Sequence, residues 1–186
     1  MRRFFVICVL STLPFSVFGQ REVSFIEEYI DFSIGESGFE TNGIYVFANN
    51  GDREVQMEIR FPFALGMDSI DVQRVYNLSY NKTMPYRSLN KSISFMLELA
   101  ARDTVYINIA YTQTLLKNNV YILRSTQAWG KPLQKAQYSL TVHDSLSIEN
   151  FSYLPDSQED NVYHWEKYDF LPTEDFEVGL SFFGLR

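Results

Sequence analysis

Residues 53–63 read Arg-Glu-Val-Gln-Met-Glu-Ile-Arg-Phe-Pro-Phe, and this stretch decides the fold. Val55, Met57, Ile59, Phe61 and Phe63 fall on one face, and Glu54, Gln56, Glu58 and Arg60 on the other. Successive side chains of a strand point to opposite sides of its sheet, so a period of two predicts a strand buried on one side only. Pro62 has no N–H to give to a ladder, which places it at a strand end or a sheet edge.

Outward from that strand the same rhythm returns. It runs through Ile93, Phe95, Leu97 and Leu99, then Val105, Ile107, Ile109 and Tyr111, then Ala136, Tyr138, Leu140 and Val142, and finally Phe176, Val178, Leu180 and Phe182. Weaker strand candidates are 22–34, 43–48, 70–78, 119–125 and 146–152. Helical spacing is hard to find, so the chain is expected to be all-β with eight to ten strands. The short link Ala100 to Asp103 predicts a hairpin between its flanking strands. Asn49-Asn50-Gly51-Asp52 predicts another between 43–48 and 53–63, since Asn and Gly tolerate the positive φ of tight hairpin turns. The longest irregular connections are expected at 79–91 and 154–163.

Two architectures share this pattern. An antiparallel β-sandwich, immunoglobulin-like or jelly-roll-like, buries one face of each strand, whereas a small eight-stranded outer-membrane β-barrel turns its apolar face to lipid. Many candidate strands are shorter than a membrane requires and the proline-containing region 154–173 is irregular, which favours the sandwich.

Met1-Arg2-Arg3 precedes an apolar run from Phe4 to Phe18, with Gly19-Gln20 after it. A basic start, a short apolar stretch and a small residue at its end predict a signal peptide, residues 1–19, cut after Gly19. Residues 20–186 would then be one β-sandwich domain, periplasmic or extracellular, without a stable membrane span. The one cysteine of the 186 residues, Cys8, falls inside the signal, so no disulfide is expected. The net charge is −7, and Arg2 and Arg3 are the only charges before residue 20, so processing makes the chain still more acidic. An acidic surface is repelled by phosphate backbones and anionic lipid, and nucleic acid is not an expected partner.

From Tyr163 the chain reads Tyr-His-Trp-Glu-Lys-Tyr-Asp-Phe-Leu-Pro-Thr-Glu-Asp-Phe-Glu-Val. Trp165, Asp169, Phe170, Pro172 and Asp175 form a Trp-x3-Asn/Asp-Phe-x-Pro-x2-Asp skeleton. It resembles the closing motif of an uncharacterised family of β-sandwich domains in exported bacterial proteins, and Phe61-Pro62-Phe63 resembles that family's Phe-Pro step. The resemblance spans about residues 43–182 and implies a sandwich and export, but no activity. In physical terms the motif is architecture: Pro172 halts pairing, Thr173-Glu174-Asp175 turns, and Trp165 with Phe170 is expected to plug an open end of the sandwich.

Little catalytic chemistry is visible. His143 adjoins Asp144, but strand neighbours point apart, and His164 has no partner at zinc spacing. Gly35-Glu36-Ser37-Gly38 lacks the closing glycine of a nucleophile elbow, and Gly130-Lys131 lacks a phosphate-binding loop. Asn77, Asn81, Asn90 and Asn150 open glycosylation sequons, which matter only in a eukaryotic secretory pathway. Asp156, Glu159 and Asp160 make a weak calcium candidate, without the glycine that an EF-hand loop needs. No other metal site, cofactor or catalytic residue is expected. The function expected is that of a non-enzymatic envelope module that binds or assembles with an envelope protein or a glycan. The rivals are the outer-membrane barrel and an extracellular hydrolase, which would need acids such as Asp156, Glu159, Asp169 or Asp175 to converge.

Overall fold

The computed structural model describes residues 22–181. The predicted signal peptide and Phe182 lie outside the described residues. Fourteen strands follow one another: β1 (Val23–Gly35), β2 (Gly38–Asn49), β3 (Val55–Pro62), β4 (Ile70–Asn77), β5 (Lys82–Thr83), β6 (Tyr86–Leu89), β7 (Ser92–Leu99), β8 (Thr104–Gln113), β9 (Asn118–Tyr121), β10 (Leu133–Val142), β11 (Ser147–Phe151), β12 (Ser157–Glu159), β13 (Val162–Phe170) and β14 (Phe176–Ser181). The alternations centred on Ile59, Leu97, Ile107, Tyr138 and Val178 all lie on strands, each turning its apolar face inward.

One layer is an eight-stranded sheet in the order β12-β13-β10-β1-β2-β8-β4-β5. Its outermost strands, β12 and β5, are far apart in that order, so the described strands form an open sandwich and not the closed ring of a barrel. The second layer consists of two three-stranded sheets, β11-β14-β9 and β3-β7-β6. Ring contacts show where each lies. Phe176 of β14 stacks on Phe32 of β1 at 4.8 Å and meets Trp165 of β13 edge-on at 5.0 Å. Phe61 of β3 meets Tyr45 of β2 at 5.2 Å, and Phe63 meets Tyr111 of β8 at 4.8 Å. One half-layer therefore covers β13, β10 and β1, and the other covers β2 and β8. Pairing is antiparallel everywhere except between β1 and β10, which run parallel.

Both expected hairpins are corrected. β2 belongs to the large sheet and β3 to a small one, and β7 and β8 are divided in the same way, so residues 50–54 and 100–103 are arches that carry the chain between layers. Gly51 has no positive φ, and at the second arch it is Arg102, with φ 59°, that turns the chain. The buried side chain of Asn49 ties the two arches together. Its Nδ2 donates to the carbonyl oxygens of Arg53 at 2.7 Å and Ala100 at 2.8 Å, and its Oδ1 accepts from the Gly51 N–H at 2.9 Å.

The tight hairpin that sequence reading missed is Gly35-Glu36-Ser37-Gly38, which joins β1 to β2. Gly38 has φ 139°, and a Cβ there would lie 2.5 Å from the Gln113 carbonyl oxygen of β8, so the position requires glycine. The two connections expected to be irregular also hold short strands: β5 and β6 within 79–91, and β12 within 154–163.

Candidate functional site

Between the two half-layers the second layer is split. β9 pairs only with β14 and β3 only with β7, and the gap between them opens over β1 and β2. A cavity of about 380 Å³ fills this gap, with a floor from Phe25, Glu28, Tyr45 and Phe47. β3 forms one wall, and the 3-10 helix Arg124–Trp129 that follows β9 forms the other. Trp129 closes one end, its ring 5.4 Å from that of Phe47 and 6.0 Å from that of Phe25. The Phe63 N–H donates to the Lys91 carbonyl, so the ladder to β7 uses every second residue of β3; the intervening backbone groups of Gln56, Glu58 and Arg60 point away from it, toward the gap.

Glu28 is the one carboxyl on the floor, and it is 1% exposed. It points inward because it shares a phase with Ile30, Phe32 and Ile34, while a bulge between Phe25 and Glu27 keeps Val23 and Phe25 inward as well. Three tyrosines surround its carboxylate. The Tyr138 hydroxyl of β10 donates to Oε1, and the Tyr121 hydroxyl of β9 donates to Oε2 at 3.5 Å. The hydroxyls of Tyr45 and Tyr121 are 3.1 Å apart.

Gly43 makes room for this arrangement, since a Cβ there would lie 2.7 Å from Cζ of Tyr45. Burial pushes the Glu28 carboxyl up to about 7, against the opposing effect of the Tyr138 and Tyr121 hydrogen bonds. Burial likewise raises Tyr45, Tyr121 and Tyr138 well above the ordinary tyrosine value, so all three stay neutral.

The residues singled out in the sequence lie elsewhere. Trp165 is buried at 1% exposure on β13, and its Nε1 donates to the Tyr153 carbonyl at 3.0 Å. Phe170 meets Tyr153 edge-on at 5.7 Å, and the exposed Asp169 has φ 47°. Pro172 is buried, and its carbonyl accepts from Nε2 of Gln127 at 2.6 Å.

Asp175 ties the closing motif to the wall of the cavity. Its Oδ1 accepts the N–H groups of Leu123 at 3.0 Å and Arg124 at 2.9 Å, and its Oδ2 accepts the Arg124 guanidinium at 3.0 Å. Burial alone would raise this carboxyl, but the guanidinium and the two backbone donors outweigh it and hold Asp175 below its ordinary value.

Asp156 is committed to Lys167, whose Nζ donates at 2.7 and 2.9 Å, and to the Glu166 N–H at 2.8 Å. Glu159 ends β12, and Asp160, with φ 51°, starts the two-residue turn to β13. Among the described residues no group of three or more His, Cys, Asp or Glu side chains is placed to hold a metal ion. His143 is exposed and bonds the Ser145 hydroxyl at 2.8 Å, while His164 pairs within the large sheet; neither lines the cavity.

No protein-family model matches the chain, and no curated protein sequence matches it. Solved structures share its fold. A proposed nutrient-binding protein of Legionella pneumophila superposes with a TM-score of 0.62 at 15% identity, over 87% of this chain and 67% of that one. An M1 zinc metallopeptidase of Deinococcus radiodurans gives 0.54 at 13% identity, and yeast LTA4 hydrolase gives 0.53 at 12%. The match spans 43% of the peptidase and 30% of the hydrolase, so the likeness to those two enzymes is to a part of each. At these identities what the chain has in common with all three is a fold.

Proposed function

We propose that the chain is an exported, non-catalytic binding module of the cell envelope that holds an apolar ligand, or an apolar group of an envelope partner, in the cavity between its half-layers. The observation that carries this reading is the cavity itself. Its volume lies in the range of small-molecule sites, its lining is mostly aromatic and aliphatic, and Glu28, Tyr45 and Tyr121 form one hydrogen-bonded polar cluster at its floor. The resemblance of the closing motif to exported bacterial domains supports the location, and the name of the Legionella protein supports a ligand-holding role. Among the described residues no helix is long and apolar enough to cross a membrane.

Exposure of the purified protein to an envelope extract, followed by native mass spectrometry, tests the reading. A retained mass that is lost in Met57→Trp, which adds bulk at the half-buried mouth, is the expected result. Absence of any retained mass, or equal retention by the filled variant, would overturn it. One observation favours a second reading as a hydrolase: a carboxyl poised near neutrality suits general acid–base catalysis. Turnover of ester or glycoside substrates that Glu28→Gln abolishes would establish that reading instead.

A further inference from the structure

The hydroxyl protons around Glu28 can be assigned from the geometry. Above pH 7, where Glu28 is ionised, its carboxylate only accepts hydrogen bonds, so Tyr138 and Tyr121 must each donate to it. The Tyr121 proton is then spent on Glu28, and the Tyr45 hydroxyl must donate to the Tyr121 oxygen. All three protons point inward along this chain, leaving lone pairs on Glu28 and Tyr45 as the unused capacity of the floor. Glu28 also has no counter-ion: none of the ion pairs among the described residues includes it. A buried carboxylate with two neutral donors and no cation is costly unless something supplies the missing charge.

We infer that the occupant of the cavity carries a positively charged nitrogen, a primary or secondary ammonium, that docks on Glu28 while its apolar body lies among Phe25, Tyr45, Phe47 and Trp129. The ammonium supplies donors to a floor that has only acceptors, and a cation to the one carboxylate there. The surrounding rings add their own attraction for a cation. A ligand ending in a carboxylate or a carbonyl would meet acceptor against acceptor, which selects against it. The inference rests on the cavity being the binding site, and the test separates the two claims.

Three probes of nearly one shape suffice: phenethylamine, phenethyl alcohol and hydrocinnamate, measured by calorimetry on the full-length protein. At pH 9 the amine is expected to bind at least about tenfold more tightly than the alcohol, and hydrocinnamate more weakly than either. The groups that face Glu28 are Tyr138 of β10, Tyr121 of β9 and Tyr45 of β2, all neutral over this range, while Glu58 and Arg60 of β3 stand on the outer rim. Amine affinity is therefore expected to fall about a hundredfold from pH 9 to pH 5 as Glu28 takes up its proton, with the alcohol unaffected. Glu28→Gln is expected to bind amine and alcohol alike, and should that variant not fold, the pH comparison on the wild type decides alone. Equal affinity for amine and alcohol in the wild type, or an amine preference that persists in folded Glu28→Gln, would overturn the inference and leave the cavity reading intact. Binding of none of the probes, together with no retained mass from the extract, would overturn both.

Discussion

The buried carboxyl of Glu28 sets the electrostatics of the cavity floor. In the unfolded chain Glu28 loses its proton near pH 4.5, whereas the folded protein keeps it until about pH 7. Its folded value is raised, so its contribution to stability is complete below pH 4.5 and is lost as the pH climbs to 7, a change of about 3 kcal/mol. Denaturant midpoints of wild type and Glu28→Gln at pH 4 and pH 8 should therefore diverge, with the variant gaining relative stability at the higher pH. Parallel pH profiles would mean that Glu28 is solvated. Half of this residue's role was legible in the sequence: the phase of Ile34, Phe32 and Ile30 continues backward onto Glu28. The rest was hidden, because the bulge at Phe25 breaks the phase and the two tyrosines that bond Glu28, Tyr121 and Tyr138, lie 93 and 110 residues away from it in sequence.

At the scale of elements, alternation located the strands well and their partners poorly. A link of four residues reads the same whether it folds a hairpin or carries the chain to the opposite layer, because local sequence reports the face of a strand and not its neighbour. What distinguishes the arches is Asn49, whose amide bonds carbonyl oxygens on both of them. Asn49→Ala removes the amide that links the two part-buried carbonyl oxygens and is expected to cost about 2 kcal/mol, read as a shifted denaturant midpoint with unchanged slope. Asn49→Asp is expected to be no better, since a carboxylate cannot donate to a carbonyl. The closing motif was read as architecture, but Asp175 also holds the first turn of the helix that walls the cavity, a contact spanning 51 residues that no local pattern announces.

At the largest scale, residues 22–181 form a backing sheet of eight strands that carries two smaller plates. All-β character and burial of one face per strand followed from the pattern alone, whereas the division of the second layer depends on which edges stay unpaired. Export is part of the proposal, and it predicts that the protein recovered from its own cells begins at or near Gln20 and fractionates without detergent. N-terminal sequencing and fractionation check both, and an intact Met1 would refute export by cleavage. The gap between the plates has a mechanical consequence. No ladder bond crosses from β3 to β9, so the plates can rock apart on their shared backing without breaking a strand pairing. A guest that touches both plates would therefore act as a clasp between two edges that no strand pairing joins.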